Sequence, residues 1–219
     1  MNKPPTARGR FITLEGGEGG GKSTQCRLLA RWLADQGISA LATREPGGSP
    51  GAERIRQLLV TGASDRWTPV TETLLHYAAR RDHIDRTIEP ALASGTWVVS
   101  DRFFDSTLAY QGYGHGVARD FIQMLRNGVV GAGLRPDLTV ILDLPESEGL
   151  RRSQGRAKDE HRYESMAVEF HGRLRKGFLE IAGDEPDRCV VVDAQRDVEQ
   201  VHGEITRLVA ERLGVKART

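Results

Sequence analysis

The stretch Phe11-Ile12-Thr13-Leu14-Glu15-Gly16-Gly17-Glu18-Gly19-Gly20-Gly21-Lys22-Ser23-Thr24 decides how the rest of the chain is read. Phe11 to Leu14 is a short apolar, β-branched run of the kind that forms a buried strand. Gly16 to Ser23 fits G-x-x-x-x-G-K-[ST], and helical spacing follows at once in Cys26, Leu29 and Leu33, with Leu28 and Trp32 beside them. Strand, glycine loop and helix in that order make a phosphate cradle. The glycines let successive N–H groups turn inward, and the helix N-terminus adds positive potential. Gly16, Gly17, Glu18, Gly19, Gly20, Gly21, Lys22, Ser23 and Thr24 are therefore expected to bind a nucleotide's phosphates. Lys22 would bridge the terminal phosphates and Ser23 would ligate Mg²⁺. A merely flexible turn before a helix would not need this placement. Glu18 opposes a polyphosphate, so it either turns toward a neutral or hydroxyl-bearing partner or is a solvated loop glutamate.

Outward from this loop, further apolar runs occur at Ile38 to Ala42, Trp97-Val98-Val99, Leu138 to Leu142 and Cys189 to Val192. Helical spacing returns at Val201, Ile205, Leu208 and Val209. Five strands separated by helices predict an α/β fold of right-handed βαβ units, with a five-stranded parallel sheet flanked by helices on both faces. Its ligands should lie beyond the carboxyl ends of the strands. The 219 residues suit one domain spanning 1–219. Gly- and Pro-rich patches at 16–21, 46–51 and 112–116 read as punctuation near the carboxyl edge of the strands rather than as domain boundaries, and 216–219 as a frayed tail. With 31 Lys+Arg against 30 Asp+Glu, no global field calls for nucleic acid or an acidic membrane, and any anion site is local. Cys26 and Cys189 read as two buried, reduced thiols. The start Met1-Asn2-Lys3-Pro4-Pro5 has no apolar core of a secretion signal, and no apolar run is long enough to span a membrane, so the expected compartment is the cytoplasm.

A second constellation is basic. Thr43-Arg44-Glu45-Pro46-Gly47-Gly48-Ser49 follows the second strand and Ser100-Asp101-Arg102-Phe103 the third. A carboxylate just after a strand commonly holds Mg²⁺ or its waters, which makes Asp101 the metal candidate and Asp143 its competitor. Asp101 is preferred because Arg102 beside it offers a planar fork to a second phosphate. On the helical stretch Leu74 to Arg81, His76 and Arg80 are four apart and share a face. Finally, 151–162 carries five basic residues in twelve around Gly155, the composition of a lid that folds over polyphosphate. By itself the same stretch would read by default as a solvated charged helix and loop; beside a phosphate loop with no other obvious donor-side cation it reads as the lid.

Together these motifs resemble the thymidylate kinase family along nearly the whole chain. The matching segments are the strand and loop Phe11 to Gly19, Arg44-Glu45-Pro46-Gly47-Gly48 with Ile55-Arg56 beyond, and Asp101-Arg102-Phe103 followed by Ser106-Thr107-Leu108-Ala109-Tyr110-Gln111-Gly112. The resemblance implies a P-loop nucleoside monophosphate kinase-like fold, ATP and dTMP as substrates, Mg²⁺, and a homodimer. It implies a dTMP site of Glu18, Glu45, Pro46, His76, Arg80, Arg102, Ser106, Thr107, Tyr110 and Gln111. Within it Arg102 holds the phosphate, Arg80 donates to a thymine carbonyl, Tyr110 crowds the sugar 2′ position, Gln111 lies near the base, and Glu18 faces the 3′-hydroxyl. Glu45 and Asp101 would organise Mg²⁺ and its waters, with Ser23 and Asp101 as the metal set. Gly20 stands where some members carry a loop arginine, so the catalytic set is Lys22, Glu18, Arg102 and the lid arginines Arg152 and Arg156, with Arg162 nearby.

Two positions depart from the family pattern. His76 stands where a phenylalanine commonly stacks on thymine, and Ala52 replaces a usual glycine, which would alter the path from Ser49 to Glu53. The implied chemistry is direct in-line transfer to an acceptor oxygen that is already anionic, so no strong general base is required. The rivals are a kinase of another nucleoside monophosphate on this fold, and a regulatory module that binds ATP without transferring phosphate.

Overall fold

All five apolar runs form strands, and their side chains divide between the two faces of one sheet. The computed structural model describes residues 7–63, 65–131, 133–153, 163 and 166–216. In chain order the elements are β1 (Phe11–Glu15), α1 (Lys22–Asp35), β2 (Ala40–Arg44), α2 (Pro50–Val60), α3 (Pro69–His83), α4 (Glu89–Ala93), β3 (Trp97–Asp101), α5 (Phe104–Thr107), α6 (Arg119–Val129), β4 (Leu138–Asp143), α7 (Glu146–Ser153), α8 (Val168–Asp184), β5 (Cys189–Asp193) and α9 (Val198–Leu213). Two π-helical stretches, Ile84–Ile88 and Leu108–Gly114, continue α3 and α5.

The strands are parallel in the order β2-β3-β1-β4-β5. On one face Ile12, Leu14, Val99, Val140, Leu142 and Val192 pack with Cys26, Leu29 and Leu33 of α1 and with Val201, Ile205 and Val209 of α9. Phe11 and Val98 point the other way, into a cluster with Tyr77, Ile84, Leu92 and Ile122, while Ile141 and Cys189 meet Phe170, Leu174 and Phe178 of α8. That alternation explains why the strands read as continuous apolar runs, since both faces are covered. The chain leaves central β1 toward β2 and β3, then crosses to β4 and β5. The switch point beside β1 is where a ligand crevice is expected.

Two local readings change. β2 begins at Ala40, not Ile38, because the Ile38 N–H closes the end of α1 by donating to Leu33 O at 2.9 Å. Gly112 and Gly114, read as punctuation, lie inside a helical run: a Cβ at Gly114 would stand 2.5 Å from the Phe170 ring, so glycine there permits packing on α8. Ala52 sits fully buried in α2. Both cysteines are free and buried, and burial pushes the Cys26 thiol up to about 12. No helix among the described residues is long and apolar enough to cross a membrane.

Candidate active site

The loop leaves β1 through Gly16 at φ +127°, where a Cβ would lie 2.4 Å from Leu142 O on β4. Only glycine tolerates both that dihedral and that approach. Gly17, Glu18, Gly19, Gly20 and Gly21 complete the turn into α1. Lys22 is buried and its Nζ donates to Gly17 O at 2.5 Å. Burial, and then the neighbouring Arg102 charge, pushes the Lys22 ammonium down to about 8. Ser23 Oγ donates to Asp101 Oδ2 in a short contact, and Thr24 lies on the same cavity wall. The competing carboxylate, Asp143, is gripped at both oxygens by Arg175, at 2.7 and 2.9 Å. Ser23 and Asp101 together offer two hard oxygens. That suits Mg²⁺, which keeps waters and substrate phosphate oxygens in its shell and needs no larger protein cage.

Among the described residues, Arg102 is the non-glycine residue with positive φ, at +73°. Such a conformation costs about 1–3 kcal/mol and persists only where the surroundings over-determine it. Here Arg102 N–H donates to Leu14 O at 2.9 Å, Ser100 Oγ to Arg102 O at 2.7 Å, and Phe103 N–H to Glu15 Oε1 at 2.7 Å. Glu15 also accepts from Ser106 Oγ at 2.5 Å. Burial, and then Asp105, pushes the Glu15 carboxyl well above the usual carboxylate range. The Arg102 fork is thereby turned across the β1–β3 edge. Its Nη1 donates to Gly16 O and Ser106 Oγ, and its Nη2 to Glu18 Oε1 and Tyr110 Oη. Tyr110 in turn donates to Glu18 at 2.6 Å; burial keeps that phenol protonated by raising it well above its ordinary value. Glu18 is therefore neither solvated nor turned only to a hydroxyl: it holds Arg102 and Tyr110 together.

Farther along, α3 supplies His76 and Arg80 to one cavity, as their spacing predicts. Arg80 is the buried member of its pair and Arg81 the half-exposed one. Arg80 Nε donates to Glu45 Oε2 at 2.7 Å, Nη1 to Thr107 Oγ1 at 3.0 Å and Nη2 to Phe103 O at 3.0 Å. Glu45 also faces His83 Nδ1 at 3.0 Å. With both oxygens so engaged, Glu45 belongs to the Arg80 subsite, and the geometry favours this over the reading that set it among metal waters. Gln111 is fully buried; its Nε2 donates to Glu72 at 2.9 Å, while its Oε1 has no hydrogen-bond partner among the described residues. Pro46 lines the same wall, and its carbonyl accepts from Arg56 at 2.8 Å.

Of the lid arginines, Arg152 ends α7 and points to the loop after β5, donating to Ala194 O at 2.8 Å and Gln195 O at 3.2 Å, with Nε on Glu148. Arg156, Arg162 and the rest of 154–162 lie outside the described residues. Four contributors were not legible as site residues: Glu15, Glu72, His83 and Tyr163. Tyr163 reaches His76 Nε2 with its hydroxyl at 2.9 Å and sets its ring edge-on to Tyr110. One signal was available for it, since it is the aromatic residue that closes an otherwise polar and basic segment.

Among the described residues one cavity of about 420 Å³ is lined by Lys22, Ser23 and Asp101 beside the loop, by Arg102, and by Arg80, His76, Gln111 and Tyr163, while Glu15, Glu72, His83 and Arg152 stand outside its lining. The size suits a small molecule. A family model described as thymidylate kinase matches residues 14–205. A thymidylate kinase of Caulobacter vibrioides is 56% identical over 208 residues, covering 95% of this chain and 99% of the relative. One of Dinoroseobacter shibae is 50% identical, with 91% and 96% covered. The crystal structure of thymidylate kinase from Ehrlichia chaffeensis superposes with a TM-score of 0.72 at 34% identity, over 92% of this chain and 99% of that one.

Proposed function

The chain belongs to the thymidylate kinase family and phosphorylates dTMP, and from that premise we propose how its residues divide the work. The observation that carries the division is the single cavity joining the phosphate loop to a buried polar pocket, with Arg102 between them. The loop amides and Lys22 hold the ATP phosphates. Arg102 and Ser106 take the phosphate of dTMP, so that its anionic oxygen faces the donor in line. Ser23 and Asp101 would hold Mg²⁺, which when bound neutralises charge on the donor phosphates. Tyr110 walls the sugar 2′ position, and Glu18 meets the 3′-hydroxyl. In the base pocket Arg80 donates to a thymine carbonyl and Gln111 Oε1 accepts from the ring N–H. His76 flanks the ring, and Pro46, Glu45 and Thr107 keep Arg80 and the wall in place. Arg156 would bring positive charge to the transferring phosphoryl group, and Arg152 would do so only by leaving Glu148 and the carbonyls of Ala194 and Gln195 that hold it here.

A homodimer is consistent with the exposed Leu58, Val70, Leu74 and Met124 on α2, α3 and α6, of which α3 packs against the other two. The cytoplasm is the compartment that fits dTMP phosphorylation and two free thiols.

The test is ADP release by the purified protein with ATP and Mg²⁺, with Lys22→Ala as blank and acceptors offered singly. Release should be fast with dTMP, and slower with dUMP by about 10- to 200-fold, the range a single methyl group allows. It should be poor with the ribose counterpart of dTMP. Equal rates with ribose and deoxyribose acceptors would remove the role given to Tyr110.

A further inference from the structure

The base pocket rests on a residue that does not line the cavity. His83 is fully buried at the last turn of α3, three positions beyond Arg80, so both side chains leave the helix toward the loop after β2. Glu45 stands between them. Its Oε2 accepts from Arg80 Nε at 2.7 Å and its Oε1 faces His83 Nδ1 at 3.0 Å. The other imidazole nitrogen, Nε2, lies 2.8 Å from Thr43 Oγ1 on β2. A carboxylate oxygen accepts only, so Nδ1 carries a proton toward Glu45, while the Thr43 hydroxyl can donate to Nε2 or accept from it. Gly48 closes the remaining side: it sits at φ +84°, and a Cβ there would stand 2.3 Å from His83 Nε2. The imidazole thus fills its space and has a partner at each nitrogen.

We propose that His83 is a positioning residue for base recognition, fixing Glu45 so that Arg80 presents its remaining guanidinium N–H groups to the base carbonyl. Arg80 uses three of its five N–H donors on Glu45, Thr107 and Phe103 O, and it lines the cavity. A guanidinium can rotate about its long stem unless its Nε is pinned. A carboxylate held from only one side can rotate as well. Pinning one oxygen of Glu45 with His83 leaves the other with one direction in which to meet Arg80. Supporting groups of this kind hold the group that touches the ligand and are felt as lost affinity when removed. This inference rests on the reading that Arg80 contacts the base.

Two variants separate the nitrogens. In His83→Asn the amide N–H group falls near the position of Nδ1 and keeps the bond to Glu45. In His83→Gln the amide reaches the position of Nε2 and keeps only the Thr43 contact. Steady-state kinetics with dTMP and ATP varied in turn, and an unfolding midpoint for each protein, are compared with those of Arg80→Met. The expected result is a dTMP KM raised about 10-fold or more in His83→Gln, with kcat within about twofold and the ATP KM unmoved. His83→Asn should recover most of that loss. Equal behaviour of the two variants would overturn the proposal. So would a shift in unfolding midpoint with no change in dTMP KM, or a parallel fall in kcat with both KM values affected. If Arg80→Met itself leaves the dTMP KM unmoved, the base reading fails and His83's role falls with it. If Arg80→Met weakens dTMP and His83→Gln does not, only the role of His83 is lost.

Discussion

At the phosphate end of the cavity a buried cation, Lys22, has a loop carbonyl for its partner and an ammonium pushed down to about 8, first by burial. At the base end an equally buried cation, Arg80, has a carboxylate, a hydroxyl and a carbonyl on its three nitrogens. The first arrangement disfavours its own charge until an anion arrives; the second has each nitrogen held by one partner before any ligand enters, with two N–H donors left over. Catalysis of phosphoryl transfer depends on charge placed where charge develops, so the phosphate end gains from being under-satisfied. Reading a neutral base depends on direction, so the base end gains from being held still. The same residue class, a buried cation, is therefore used in two opposite ways within one cavity.

The comparison can be broken most directly at Glu45. Glu45→Ala strands Arg80 without its carboxylate in a site where both side chains are almost fully buried. Removing one partner of such a pair is expected to cost about 3–5 kcal/mol, read from denaturant midpoints. A cost below about 1 kcal/mol would mean that the base end is not held as described.

Lys22→Met should act with the opposite balance. It removes a charge that the fold buries at a cost, so the unfolding midpoint at pH 7 should hold or rise. The kcat should fall by about 10²–10³, the usual effect of losing one electrostatic donor to the transition state. A midpoint that drops as far as that of Glu45→Ala would erase the difference between the two ends.

The smallest effect is in pH. The folded value of Lys22, about 8, lies below the ordinary 10.5, so below pH 8 the ammonium is charged in both states and the folded state bears the whole cost. Between 8 and 10.5 the unfolded chain holds the proton more tightly, and this group's contribution to stability rises with pH. ATP supplies the missing anion and draws the proton back. Its binding should therefore take up a proton near pH 8, and its affinity should weaken above that by up to about tenfold per pH unit. Calorimetry in two buffers of different ionisation enthalpy reads the proton directly. Equal heats in both, or uptake that survives in Lys22→Met, would assign the shift to another group.

How much of this was legible in the sequence follows the distance between partners. The phosphate loop was readable because its strand, glycines, lysine and serine are contiguous, and Asp101-Arg102 because it directly follows a strand. His76 and Arg80 were readable as one helix face. Glu15 was not, because its partners Phe103 and Ser106 lie 88 and 91 residues away. Glu72 acts through Gln111, 39 residues on, Tyr163 through His76, 87 residues back, and His83 through Glu45, 38 residues back. Glu45 shows the limit in reverse. The family resemblance implied a metal role for it, whereas α3 crossing the loop after β2 turns both of its oxygens toward Arg80 and His83.

The parallel sheet and the cradle with its lysine could be read from the chain alone, because periodicity and short-range loop chemistry are local properties; the kinase class came from the resemblance of its ordered motifs to a family. Packing alone settled that Glu18 binds Arg102 and that the two oxygens of Glu45 meet Arg80 and His83. A carboxylate or an imidazole has no assigned partner until packing removes water and leaves one donor within reach.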